Sequence, residues 1–334
     1  MNMINKKTLS IIIICYNNEK YIKNCLDSVI RKLNNNIEII IVDDGSTDSS
    51  YNIISKRIVN IENIKLISIK NSGISIARNV GLKNAVGKYI MFIDGDDYIN
   101  IKGIEKIINY IQKNEFDLLL FNTIKYYEKT GKYEIEKYAI NDYKNVSISD
   151  LIDNKICGRA WRFIYNKKML DKNKLSFHKS LIYEDEEWVP QVIYYSKKIE
   201  YIDEDLYIYR KRNNSITSTK SLNNIINLEK ITEATYIWSL DCSNKKNYIF
   251  FSLTRCIRNI MGSILYLDTE EIKQVISWYK QNYKMIMKIL KYNPKLKILL
   301  KVFGPYNGIK FYKKFYKKFC KEKYKTKKIV KFEI

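Results

Sequence analysis

The chain has 334 residues, 46% hydrophobic and 13% aromatic, with only 3 prolines and 11 glycines; this excludes a disordered chain and predicts one large or two moderate domains of mostly regular structure. Its cysteines, Cys15, Cys25, Cys157, Cys242, Cys256 and Cys320, show no CxxC spacing, and its one histidine is His178, which excludes a zinc site. The net charge of +23 gathers near the C-terminal end, where residues 281–334 hold 17 lysines against Glu322 and Glu333; such an excess attracts nucleic acid or an anionic membrane surface, unless it only reflects an A/T-rich genome.

In chain order, MNMINKKTLSIIIICYNN holds an apolar run of about seven residues before Asn17. That is too short for a secretory or membrane-spanning segment, so the expectation is a cytoplasmic protein with reduced thiols. Leu9 to Cys15, Ile37 to Val42, Ile64 to Ile69 and Tyr89 to Ile93 read as buried strands. Between them Asn18 to Leu33, Asp48 to Val59 and Gly73 to Ala85 carry apolar residues at helical spacing, giving a βαβαβαβ unit with a mainly parallel sheet. Ile101 to Lys113 reads as a helix, Phe116 to Asn122 as an apolar run, and the Tyr-rich alternation around Thr130-Gly131 as a hairpin. Residues 221–300 read as helical, broken at Pro294, and Gly304-Pro305 opens a final segment.

Ligands bind at strand ends in open α/β sheets, and three strand ends here are polar: Cys15-Tyr16-Asn17-Asn18, then Val42-Asp43-Asp44-Gly45-Ser46-Thr47-Asp48, then Asp94-Gly95-Asp96-Asp97. Asp43, Asp44, Asp94, Asp96 and Asp97 thus crowd one edge. Like charges so placed imply a cation or hydrogen-bond donors to offset them. A carboxylate accepts from a nucleobase N–H or a ribose hydroxyl, and an Asp-x-Asp pair can hold Mg²⁺ or Mn²⁺ beside a diphosphate. Asp48 and Ser46 also suit an ordinary helix cap, and Arg78 with Asn79 an ordinary helix face. The acids Glu184 to Glu187 in LIYEDEEWVPQ offer a general base, although acids also favour a helix N-terminus for its own sake.

ICYN at 14–17, VDDGSTDSS at 42–50, NSGISIARNVGLKNAVGKYIMFIDGDDY at 71–98 and YEDEEW at 183–188 resemble, in order and spacing, the pattern of glycosyltransferase family 2. The resemblance implies an α/β fold of the GT-A (Rossmann-like) type, a nucleotide-binding sheet with helices on both faces, followed by a C-terminal helical region. It implies three parts: 1–100 binding the nucleotide sugar, 101–220 binding the acceptor and carrying the base, and 221–334 helical with a basic tail. Tyr16, Asn17, Asp43 and Asp44 are then expected at the donor nucleotide, with Tyr16 and Asp43 near the base and Arg78 near the base or diphosphate. Asp94 faces the ribose or the metal, Asp96 ligates Mn²⁺ or Mg²⁺, and Gly95 lets the backbone approach the sugar phosphate. Asp185 is the expected base and Glu184 its support. Tyr209-Arg210-Lys211-Arg212 and Ser215-Ile216-Thr217 resemble a segment that closes over the diphosphate, with Asn214 where the family has glycine, so Arg212 and Ser215 join the donor site.

The activity implied is inverting transfer from a nucleotide sugar, with uridine as nucleoside, to a hydroxyl of a glycan or lipid-linked glycan in bacterial surface-polysaccharide synthesis. CYNNEKY after the first strand is not the GxGxxG turn of a dinucleotide enzyme. A nucleic-acid binder would account for the charge, but carboxylates at the cleft repel phosphates, so nucleic acid is not the expected partner. A sugar-nucleotide binder without catalysis is the remaining alternative. In IKFYKKFYKKFCKEKY, aromatic or apolar pairs at 311/312, 315/316 and 319/320 alternate with lysines, an amphipathic pattern expected to dock the protein peripherally on the inner face of the cell membrane.

Overall fold

All residues of β1 (Leu9–Cys15) are buried, because helices cover the sheet on both faces and leave no solvent face for polar alternation. This computed structural model describes residues 7–31, 33–179, 182–212, 221–323 and 329–330. The first half runs β1, α1 (Ile22–Ile30), β2 (Ile37–Asp43), α2 (Ser50–Arg57), β3 (Ile64–Ser68), α3 (Ile74–Asn84), β4 (Tyr89–Asp94), β5 (Tyr98–Ile99) and α4 (Ile101–Lys113). It continues with β6 (Leu118–Tyr127), β7 (Lys132–Glu136), α5 (Ile148–Asp153), β8 (Phe163–Asn166), α6 (Lys167–Lys172), α7 (Asp185–Tyr195) and β9 (Ile199–Lys211).

The parallel strands lie in the order β3-β2-β1-β4. Their register puts Cys15 beside Asp43 and Ile14 beside Asp94, so the two acidic strand ends flank the end of β1. Side chains alternate between the faces. Ile12, Ile14, Ile40, Val42, Ile90 and Phe92 pack with Ala77 of α3 and Trp188 of α7. Ile11, Ile13, Ile39, Ile41, Met91 and Ile93 pack with Leu26 of α1, Ile54 of α2 and Ile107 of α4. Beyond β4 the sheet turns antiparallel through β8, which pairs with both β4 and β6. Strand β9 then runs parallel to β6, with register shifts between Phe121 and Thr123, and its far end also pairs with β5. That return brings Tyr207 to Arg212 back over the acidic turn after β4.

The expected first helix starts late. Asn17 adopts φ 51° and its side-chain oxygen accepts from Thr47 N–H at 2.8 Å, while Asp48 accepts from Glu19 N–H at 3.0 Å. Residues 17–19 therefore bond across to the next strand end instead of continuing a helix, and α1 begins at Ile22.

The remainder is helical: α8 (Leu222–Leu240), α9 (Lys246–Ser263), α10 (Thr269–Gln281), α11 (Tyr283–Ile289) and α12 (Pro294–Lys323). Leu228, Ile257, Ile260, Trp278, Ile289 and Leu300 belong to their shared core. Pro294 opens α12, where its missing N–H costs nothing. Gly304, at φ 71° and ψ 178°, breaks the helix and turns its second half back, so that a Cβ on Gly308 would lie 2.6 Å from the Leu299 carbonyl oxygen. The side chains of the aromatic–lysine repeat beyond Phe311 lie outside the described residues.

Candidate active site

The ends of β1 and β2 make a polar platform. Tyr16 is 45% exposed, its ring available for stacking on a base. Asp43 beside it is buried; one oxygen accepts from Ser46 N–H at 3.3 Å and the other, Oδ1, has no partner. A buried carboxylate oxygen without a donor is costly, and a base or ribose donor would satisfy it. Asp44 is different: its two oxygens accept from Ser72 and Gly73 N–H at 2.8 and 2.9 Å, tying β2 to the start of α3. Asn17 is likewise spent on the loop, accepting from Thr47. Both hold the platform in place rather than presenting a free group.

In the turn after β4 each acid has a distinct partner. Asp97 is buried, with one oxygen accepting from Tyr207 O–H and the other from Arg210 N–H, each at 2.7 Å. Burial, with Asp96 and Asp94 close by, holds its carboxyl well above the usual range. Asp96 forms an ion pair with Arg212; burial raises its pKa, the Arg212 charge opposes this, and Asp94 adds to it. Arg210 packs among the rings of Tyr21, Tyr98 and Tyr126 at 4.9, 5.1 and 5.3 Å and donates through Nε to the Asp96 carbonyl at 2.9 Å. Gly95 is needed for packing: a Cβ there would lie 2.8 Å from both the Ile14 carbonyl oxygen and the Asn18 side-chain amide. Its lack of a side chain serves the fit against β1, where the sequence suggested room for a ligand.

Arg78, on α3, joins this turn to the acids at the start of α7. Its guanidinium donates to Asp94 at 2.9 Å and forms a second, tight ion pair with Glu184. Burial opposes the charge of Arg78, but Asp94 and Glu184 outweigh it and its pKa is raised. The Glu184 carboxyl is pushed up to about 7 by burial, against the pull of Arg78. Asp185 follows as the first residue of α7, partly exposed. Burial also raises its pKa, against Arg78, Arg255 and Arg159 in turn. Among the described residues Glu184 and Glu186 are each claimed by an arginine, Arg78 and Arg255, whereas no ion pair engages Asp185. An elevated, accessible and unclaimed carboxylate beside a donor platform is what general-base catalysis needs.

A family model described as glycosyl transferase family 2 matches residues 10–173. Over those residues, just under half of its length, the chain is similar to glycosyltransferase family 2. The uncharacterized glycosyltransferase EpsJ of Bacillus subtilis (strain 168) is 29% identical over 215 residues, 63% of this chain and 62% of that protein. Glycosyltransferase GlyG of Streptococcus pneumoniae serotype 4 is 29% identical over 222 residues, 64% of this chain and 73% of that one. The chain thus spans less than two thirds of the first of these relatives. Staphylococcus aureus TarS 1-349, solved in complex with UDP-GlcNAc, superposes with a TM-score of 0.71 at 20% identity, covering 98% of this chain and 100% of that one. The fold is therefore GT-A with a C-terminal helical region, as the resemblance implied.

No three His, Cys, Asp or Glu side chains among the described residues are gathered to enclose a metal ion. A cation shared with a diphosphate needs less, because Mg²⁺ is commonly held by one or two carboxylates plus substrate phosphates. Asp96 and Asp94, with side chains 18% and 25% exposed, supply hard oxygen donors of that kind, so this turn fits such an ion. Ser215 lies outside the described residues. Sequence reasoning passed over Tyr207 and Arg210 as site residues, although Arg210 stands in the segment it singled out; the alternation of β9, which turns Arg210 away from Tyr209, was the available signal.

Proposed function

We propose that this chain moves a sugar from a nucleotide sugar, UDP-linked, to a hydroxyl of a growing glycan or lipid-linked oligosaccharide in surface-polysaccharide synthesis, with inversion at the anomeric carbon. The observation that carries this is the Asp94–Arg78–Glu184 bridge, through which one buried guanidinium fixes the donor-side turn against the residue next to Asp185. Asp185 takes the acceptor hydroxyl proton as that oxygen bonds to the anomeric carbon. The bond from that carbon to the phosphate oxygen breaks, and its electron pair leaves with the nucleoside diphosphate. Tyr16 and Asp43 receive the base, and Arg212 faces the diphosphate. Asp96, with Asp94, would hold a divalent cation, Mn²⁺ or Mg²⁺, which would supply positive charge for the leaving diphosphate. Glu184 acts as a positioning residue through Arg78.

The reading is tested with UDP-glucose, UDP-galactose and their N-acetyl forms, with and without Mn²⁺ or Mg²⁺, using water as acceptor. Metal-dependent release of UDP is expected from at least one donor, with the freed sugar appearing first as the β anomer from an α-linked donor by NMR. No release from any donor would leave a binder without catalysis, and first appearance as α would exclude single displacement.

The same reading places the chain at the inner face of the membrane. No helix among the described residues is long and apolar enough to cross one. However, α12 exposes Ile298, Val302, Phe303, Tyr306 and Phe311 at 40–64%, in a region rich in lysine. Each lysine near an anionic leaflet contributes about 1 kcal/mol. Removing 305–334 is expected to abolish sedimentation with anionic vesicles while sparing UDP release from a soluble donor, since Leu296 and Leu300 remain to close the helical core. Equal sedimentation of the shortened chain would show that the tail does not dock.

A further inference from the structure

The cations around the cleft are almost all spoken for. Arg78 is held by Asp94 and Glu184, Arg212 by Asp96, and Arg255 by Glu186. Lys125 lies 3.2 Å from Glu136 and 3.9 Å from Glu134, and Arg162 lies 3.5 Å from Glu136. Arg210 has no ion pair but packs on three tyrosine rings and donates to the Asp96 carbonyl; Arg159 and Lys211 too have, among the described residues, no carboxylate within ion-pair distance.

Their place is fixed by backbone packing. A Cβ on Gly158 would lie 2.9 Å from the Asp185 carbonyl oxygen and 2.8 Å from Glu186 Oε2, so the chain reaches Arg159 directly from the start of α7. The Arg159 guanidinium then lies 5.3 Å from the Trp161 ring and 5.1 Å from the Tyr209 ring, and Lys211 Nζ lies 5.0 Å from that same Tyr209 ring. Sharing one ring keeps the two charges within about 10 Å of each other, a repulsion that nearby Glu136 offsets only in part and a bound anion would offset further. Packing over two rings restrains the guanidinium, a group able to take an oxyanion with two parallel bonds. Tyr209 and Lys211 point to the opposite face of β9 from Arg210, which packs on Tyr21, Tyr98 and Tyr126 beside the acidic turn. Tyr207, on the same face as Tyr209 and Lys211, donates to Asp97, and the Arg159 charge pulls against the raised pKa of Asp185, so this face borders both the acidic turn and Asp185.

We propose that Arg159 and Lys211 form an anion-binding subsite for the acceptor, so that the hydroxyl delivered to Asp185 belongs to a molecule carrying a phosphate or carboxylate close to it. This rests on Asp185 being the base. An oxyanion seated on Arg159 would anchor the acceptor, and its neighbouring hydroxyl would be the one within reach of the Asp185 carboxylate.

The test is ligand-observed NMR titration of the full chain with glycerol 3-phosphate, galacturonate, glycerol and galactose, in saturating UDP so that the diphosphate site is filled. Glycerol 3-phosphate or galacturonate is expected to bind in the millimolar range and the neutral pair at least tenfold more weakly; whichever anion binds more tightly distinguishes phosphate from carboxylate. Arg159→Gln and Lys211→Gln, which keep most of the side-chain length, are expected to weaken the anion tenfold or more and leave UDP affinity unchanged; Arg159→Lys is expected to recover part of the loss. Equal binding of charged and neutral probes, or an anion affinity indifferent to both substitutions, overturns the subsite. A loss of UDP affinity in Arg159→Gln also overturns it, by assigning the arginine to the donor. Failure of UDP to bind the unaltered chain would instead strike the donor reading, and the anion titration without UDP would still decide the subsite.

Discussion

Asp185→Asn is expected to lower turnover by about a hundredfold or more, roughly 2.7 kcal/mol of transition-state stabilisation, while UDP affinity stays near that of the unaltered chain. The amide keeps the shape and loses the ability to take a proton. Neighbouring acids are poorly placed to substitute, because Glu184 and Glu186 are held by Arg78 and Arg255. The sign of the pH dependence follows. Burial holds the Asp185 carboxyl above its ordinary range, against three arginines, and the base works only when deprotonated, so turnover should fall as pH drops through that raised pKa. In Asp185→Asn this acidic limb should disappear. Steady-state rates across pH for both proteins, with UDP affinity measured in parallel, check the prediction; retained turnover would move the base elsewhere, and a parallel loss of UDP binding would make Asp185 a donor-site residue.

The sheet and its acids were legible because their signals are local. Leu9–Cys15 and Tyr89–Asp94 are near-continuous β-branched or apolar runs ending in polar residues, and a parallel strand buried on both faces has no other composition available. The helices beyond residue 221 were legible as helical without their boundaries, since they pack mainly on one another. What was not legible depends on distant partners. Asp97 looked like one more acid of the turn, yet Tyr207 and Arg210, more than a hundred residues on, occupy both its oxygens. Strand β9 mixes Asp203, Glu204 and Asp205 with tyrosines and shifts register against β6, which blurs the period-two pattern over the part before Tyr207. Arg78 was singled out as a donor-site candidate, but nothing local told that it bridges Asp94 to Glu184. Asp44 read as a ligand group because its donors, Ser72 and Gly73, lie a strand away.

The second large effect concerns the metal, and it tests the donor site most directly. In the free protein Asp96 pairs with Arg212. A cation on Asp96 would release Arg212 toward the diphosphate, so ion and arginine would add positive charge together. Asp96→Ala removes the ligand, and it also removes a carboxylate that repels phosphate and occupies Arg212. Transfer is therefore expected to be abolished, whereas metal-free UDP affinity should be equal to or better than that of the unaltered chain. The deciding measurement is calorimetric titration of UDP into both proteins, each with and without Mn²⁺. The expected result is that Mn²⁺ strengthens UDP binding about tenfold or more in the unaltered chain, roughly 1.4 kcal/mol, and leaves it unchanged in Asp96→Ala. An equal Mn²⁺ enhancement in the two proteins would contradict the assignment of the strand-end turn as the metal-assisted donor site.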